Sequence, residues 1–199
     1  MFAVKRSIIL RQESLNNTMS LYTKIGDKGR SSASGRMKID KSSIIFEVLG
    51  EIDNLTCSLG FLQNSRISEI KNCTIQVQQD LLIIGSVVAR ASKGVLQKDY
   101  WNKRIAGFEK LIDSLNGVLP KLTNFIIPGG TLESSHLHMS RVECRKVERM
   151  VVRYWKSSGR KDLADIVKYL NRLSDLLFVL ARYSNKRNKI RDLAWKGSK

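Results

Sequence analysis

Arg141, Arg145 and Glu148 fall at i, i+4 and i+7 of a helix-patterned stretch, so they share one face. His138 and Arg149 belong to the same stretch. Two guanidinium forks one turn apart match the oxygens of a phosphate chain, and a triphosphate brings about four negative charges near neutral pH. Glu148, one turn beyond Arg145, could orient that arginine or help hold a magnesium ion through water. An exposed helix face with i,i+4 pairing to glutamate accounts for these residues equally well on periodicity alone. A second helical stretch, Tyr169–Arg182, sets Asn171 and Asp175 one turn apart in apolar surroundings. There they read as a buried amide and carboxylate, costly to keep for packing alone.

More cations come from the glycine-rich stretch over residues 21–36, where Gly26 and Gly29 allow consecutive N–H groups to turn toward an anion. Lys24, Lys28, Arg30 and, further on, Lys41 supply charge. The stretch is not GxxxxGK[ST] and no strand precedes it, so alone it reads as a flexible surface turn.

Other chemistries fit poorly. Glu133-Ser-Ser-His136 has the ExxH spacing of di-iron bundles. Such a centre needs two of these motifs, and the other histidine, His138, has no glutamate three residues before it. No Ser-His-Asp set and no cysteine with a histidine partner stands out. Cys57, Cys73 and Cys144 are an odd, widely spaced set that reads as thiols of a reducing compartment. The formal charge of +17 favours an anionic partner, yet much of it sits in Lys186-Arg-Asn-Lys-Ile-Arg191, Lys196 and Lys199. Without an aromatic-interleaved basic motif or a zinc finger, nucleic-acid binding is not favoured over a solvated basic surface. The longest apolar run, Leu81–Ala89, is too short to span a bilayer.

The elements that must position these residues are helices. Helix-period stripes run over Ile45–Gln63 (Ile45, Val48, Ile52, Leu55, Leu59), Ile67–Ala91 (Ile70, Ile75, Val77, Leu81, Leu82, Ile84, Val88) and Asp99–Val118 (Trp101, Ile105, Phe108, Leu111, Leu115). The aromatics of the third stripe read as core. Asp53 adjoins the first stripe, which predicts partial burial and a cationic partner. Asn124–Thr131 is an apolar loop entering a tight turn, with Thr131 as N-cap of the helix that carries Arg141. Two prolines in 199 residues and five helices with short connections predict an all-α, up-and-down five-helix bundle, ferritin-like in outline but without its di-iron site. Residues 1–20 read as an extension, 21–185 as the helical domain and 186–199 as a basic tail. Residues 1–18 lack the apolar segment of a secretory signal. An extension ahead of an internal start at Met19, in a cytoplasmic protein, is preferred to a mitochondrial presequence.

Five segments occur in an order that carries a resemblance. They are Tyr22-Thr-Lys-Ile-Gly-Asp-Lys-Gly29, Phe46-Glu-Val-Leu-Gly-Glu-Ile-Asp-Asn-Leu55, Phe125-Ile-Ile-Pro-Gly-Gly130, Leu137–Arg149 and Tyr169-Leu-Asn-Arg-Leu-Ser-Asp-Leu-Leu-Phe178. Together, over Tyr22–Trp195, they resemble the PduO-type ATP:cob(I)alamin adenosyltransferases. The resemblance implies a five-helix bundle assembled as a homotrimer, with active sites between neighbouring subunits. It implies transfer of the 5′-deoxyadenosyl group of ATP to cob(I)alamin, with magnesium, giving adenosylcobalamin and triphosphate. The reduced cobalt is then the nucleophile, so no protein nucleophile is expected. Thr23, Gly26, Asp27, Lys28 and Gly29 match the family's nucleotide loop, and Lys41 a lysine that meets the phosphates. Asp53 matches an acid paired with an arginine at the position of Arg141; both belong to the catalytic and corrinoid-binding set. Arg145 matches the arginine on the triphosphate, with Glu148 beside it, and Asn171 an asparagine on ATP. Phe125 matches the aromatic that displaces cobalamin's lower ligand. A reductase supplying cob(I)alamin and an adenosylcobalamin-dependent enzyme taking the product are the implied partners.

The chain departs from the pattern mostly in the N-terminal half of the site. Ile25 replaces a threonine, Ser31 and Ser32 a threonine-rich segment, Ser42 and Ser43 acidic residues, Asn54 a glutamate, and Thr56 an asparagine. These differences bear on ATP and magnesium more than on fold. They motivate a second reading, a non-catalytic cobalamin carrier with weakened ATP binding.

Overall fold

The computed structural model describes residue 24 and residues 26–32, 38–90 and 99–197. Five α-helices make up most of it: α1 (Ile44–Gly60), α2 (Ser68–Val88), α3 (Tyr100–Val118), α4 (Leu132–Ser158) and α5 (Ala164–Arg187). α4 and α5 pack along each other, α1 lies against α4, α3 against α5, and α2 against α1. The stripes account for this packing. Val48, Leu55, Leu59, Ile70, Leu81, Ile84, Val147, Val151, Leu170 and Leu173 are fully buried in one apolar core. Trp101 and Phe108 are core residues, as expected, and both pack their rings on Tyr169. Two positions expected inside, Ile75 and Leu82, lie on the exposed side of α2, because 21 residues of helix drift off a single stripe.

The chain is mostly, but not entirely, helical. β1 (Arg30–Ser32) and β2 (Lys38–Asp40) form an antiparallel hairpin in register Arg30 to Asp40. β3 (Ile126–Ile127) pairs antiparallel with β4 (Leu193–Ala194), and the Trp195 N–H donates to the Phe125 carbonyl at 2.7 Å. The segment expected as a basic tail thus carries the last two residues of α5 and a strand that returns to the loop ahead of α4.

That loop is fixed from both sides. The Thr131 hydroxyl accepts the Ser134 N–H at 2.9 Å, capping α4 as the sequence predicts, and it also meets the Ser184 hydroxyl at 3.0 Å. Asn185 of α5 accepts the Thr131 N–H and donates to the Gly129 carbonyl, both at 3.0 Å. It occupies the space a Cβ on Gly130 would need, and Gly130 sits at φ +104°, so only glycine fits there. Thr131→Ala should lower stability by about 1–2 kcal/mol, measurable as a lower urea midpoint at unchanged slope; an unchanged midpoint would remove the cap's role.

Away from the loops, Asp80 is a buried polar node. It accepts from the Tyr100 hydroxyl at 2.6 Å, the Tyr169 hydroxyl at 2.7 Å and Arg104 Nε at 2.7 Å, tying α2 to α3 and α5. Burial, then the carboxylate, pushes the Tyr100 hydroxyl up to about 12, and the same two causes hold the Tyr169 hydroxyl well above its ordinary value.

Candidate functional site

α4 positions the arginines because its core stripe (Leu137, Cys144, Val147, Val151) faces α1 and α5 and leaves the neighbouring face to the side. Two polar contacts set its rotation. The Ser58 and Ser140 hydroxyls meet at 2.8 Å, and Cys144 Sγ donates to the Leu170 carbonyl at 3.2 Å. Arg141 and Arg145 then line a cleft of about 640 Å³ together with Phe125 and Ile126, Ile112 and Asn116 of α3, and Arg172, Asp175 and Phe178 of α5.

The glutamate-paired helix face that periodicity allowed is not what forms. The α4 cations with acidic partners are Lys146, on Glu51 at 2.8 Å, and Arg153, on Glu47 at 3.6 Å. Arg141, Arg145 and Arg149 enter no ion pair among the described residues. Arg141 is half-buried with its guanidinium 6.0 Å from the Phe178 ring centre, and its Nε has no hydrogen-bond partner. Burial, then the neighbouring Arg145 charge, lowers the Arg141 pKa. His138 packs edge-on to the same Phe178 ring, and burial followed by the Arg141 charge holds its imidazole below the usual range. Half-buried Arg141 and exposed Arg145, both without counter-charges in this cleft, form a candidate anion site.

Phe125 is 81% exposed at the lip of this cleft, held by the β3–β4 pairing behind it. An aromatic ring carried outward on a tethered backbone is positioned to meet a ligand. Asn171 donates to Glu148 Oε1 at 3.1 Å, which joins two of the predicted site residues across α4 and α5. Asn171 and Asp175 are exposed, contrary to the buried amide and carboxylate expected from their apolar neighbours. Their side of α5 faces away from the core, and Asp175 pairs with Arg172 at 2.8 Å.

The N-terminal half is built separately. Lys41 N–H donates to the Gly29 carbonyl at 2.8 Å, closing the hairpin. The Lys41 side chain crosses directly over Gly26, where a Cβ would lie 2.9 Å from its Nζ. Asp40 accepts the Ser42 N–H at 2.9 Å and its hydroxyl at 2.6 Å, and these bonds lower its pKa. Gly26, Asp27, Lys28, Gly29 and Lys41 are all described; Thr23 and Ile25 lie outside the described residues. None of the described loop residues lines the cleft that holds Arg141 and Arg145.

Asp53 is exposed on α1 instead of partly buried, and it makes no ion pair with Arg141 within the chain. Its place one residue off the stripe turns it outward. Sequence reasoning missed Arg172 and Arg182 as cleft residues. Arg172 lies within the Tyr169–Phe178 segment, and Arg182 is a charge inside a long apolar helix; these were the signals that could have found them.

The sequence pattern of the cobalamin adenosyltransferase family matches residues 21–184. A corrinoid adenosyltransferase of Bos taurus is 37% identical over 173 residues, 82% of this chain and 70% of that protein. One from Citrobacter freundii is 34% identical over 165 residues, 81% of this chain and 93% of its own length. Among solved structures, a variant PduO-type ATP:corrinoid adenosyltransferase from Lactobacillus reuteri, complexed with cobalamin and ATP, superposes with a TM-score of 0.81. It is 28% identical, covering 89% of this chain and all of that one.

Proposed function

The chain belongs to the cobalamin adenosyltransferase family, and from that premise we propose how its own residues carry out ATP-dependent adenosyl transfer to a corrinoid. The reaction joins reduced cobalt to the 5′ carbon of ATP and expels triphosphate. No acid, base or nucleophile of the protein is consumed. The chain's task is to hold ATP with that carbon facing cobalt and to neutralise the leaving group. The observation that carries this reading is the set of α4 arginines left without acidic partners beside an exposed aromatic ring.

In this reading Arg145 meets the triphosphate, while Lys28 and Lys41 meet it from the hairpin loop with Thr23, Gly26, Asp27 and Gly29. Asn171 contacts ATP and keeps Glu148 beside Arg145. Phe125 meets the corrinoid and displaces its lower ligand. Magnesium would travel mainly with the phosphates. Among the described residues no three acidic, histidine or cysteine side chains gather to hold a metal.

The separation of the two halves supports assembly. The loop lysines and the α4 arginines serve one ATP only if a neighbouring copy brings its loop to this cleft. An up-and-down bundle, assembled as a trimer with sites between subunits, meets that need. The same arrangement gives Asp53 and Arg141 a partner in each other across the interface. The helical domain over 21–185, a reductase before it, an adenosylcobalamin-dependent enzyme after it, and a cytoplasmic location (or a mitochondrial one, if residues 1–18 are a presequence) complete the proposal. Among the described residues no helix is long and apolar enough to cross a membrane.

Asp53→Ala and Arg141→Ala should each cost about 2–4 kcal/mol in kcat/KM, and the double variant little more than either alone. Simple additivity in that cycle would dissolve the pair. The direct test of the whole reading is anaerobic: protein, chemically reduced cob(I)alamin, ATP and magnesium, followed by the absorbance change to light-sensitive adenosylcobalamin. Steady product formation is expected. Tight cobalamin binding without product would favour the carrier reading.

A further inference from the structure

A second groove of about 610 Å³ adjoins the Phe125 cleft, and Leu122, Asn124, Ile126 and Arg182 line both. Its composition differs from that of its neighbour. Lys121, Lys186, Lys189 and Arg191 edge an apolar floor that includes Leu119 and Ile190. Its one acidic lining residue, Asp192, is already engaged: Oδ2 accepts from Arg182 Nε at 2.8 Å and Oδ1 from Asn185 Nδ2 at 3.1 Å. Lys186 donates to the Val118 carbonyl. Lys121, Lys189 and Arg191 enter no ion pair among the described residues. Lys189 holds φ +59° just past the end of α5, a conformation in which glycine is the usual residue. A charged side chain is thus kept there against backbone strain.

Cations at the edge and apolar carbon beneath suit a ligand that carries a phosphate and an aromatic base together. A complete corrinoid such as cobalamin has that combination in its nucleotide tail, where a phosphodiester links the ring to the lower base. Displacing the base from cobalt leaves it, with its phosphate, needing a new place. We propose that this groove receives the displaced nucleotide tail, its phosphodiester meeting Lys121, Lys189 and Arg191. The proposal rests on the reading of the Phe125 cleft as the corrinoid site. It extends that reading to specificity, since the groove favours complete corrinoids over those without the tail. The other phosphate within reach is that of ATP, and the test separates the two.

The test uses the triple variant Lys121→Gln, Lys189→Gln, Arg191→Gln, with cob(I)alamin and the tail-less cob(I)inamide as alternative substrates. All three positions are exposed, and turnover of cob(I)inamide by the same preparation reports that the protein is folded. The expected result is a rise of about tenfold in KM for cob(I)alamin, the worth of one charge-assisted contact, with KM for cob(I)inamide and for ATP unchanged. Equal losses with both corrinoids would overturn the proposal, as would no change with either. A rise in KM for ATP would assign the groove to the polyphosphate and overturn it too. Failure of the wild-type protein to adenosylate either corrinoid would remove the underlying reading as well as this one.

Discussion

Arg145→Ala is expected to lower kcat/KM for adenosyl transfer by about 2–4 kcal/mol, roughly 30- to 1,000-fold. The physical reason lies in what the arginine lacks. It faces the cleft from α4 and enters no ion pair among the described residues. Its charge is therefore available to an incoming anion without an internal pair having to break first. Charge grows on the leaving triphosphate as the bond to the 5′ carbon breaks, so the contact strengthens in the transition state and should appear in kcat as well as KM. Arg145→Lys keeps the charge but loses the planar fork, and should recover only part of the loss. Steady-state kinetics at saturating cob(I)alamin would decide the matter. Near-wild-type turnover in Arg145→Ala would take the arginine out of the reaction.

The largest expected effect on stability is elsewhere. Asp80→Ala should cost about 3–5 kcal/mol, because it strands Arg104 and two tyrosine hydroxyls that the carboxylate now satisfies. For a chain of this length that corresponds to a fall in Tm of roughly 6–20 °C. Asp80 lines neither the Phe125 cleft nor its neighbour, so the folded fraction of the variant should still turn over substrate at low temperature. Urea unfolding gives the magnitude. A loss below about 1 kcal/mol would mean that water replaces the carboxylate and that the node is dispensable.

The helices could be read from the sequence because their stripes are long and apolar. Thr131 marked the start of α4, and Gly159, in the left-handed conformation with its N–H on the Trp155 carbonyl, ends that helix as glycine commonly does. The short strands could not be read. β3 and β4 are two residues each and are held by partners about 67 residues apart, a separation no local periodicity reports. Burial of single polar residues was misjudged in both directions. Asp53 and Asn171 border apolar stripes yet point outward, whereas Asp80 was passed over and is almost fully buried. Period fixes a face only to within one residue's rotation, and the node around Asp80 depends on Tyr100 and Tyr169 arriving from two other helices. The candidate site residues came from motifs, and motifs carry no information on which residues meet within one chain.

A chain whose loop lysines and cleft arginines serve different sites can be damaged in one half while its other half remains sound. On the between-subunit reading, two inactive proteins, one altered at Lys41 and the other at Arg145, should regain activity when co-expressed. With random mixing of equal amounts, about a quarter of the interfaces would unite an intact loop with an intact arginine. Two alleles that each abolish function alone would then complement in a single cell, provided that they fall on opposite sides of the interface.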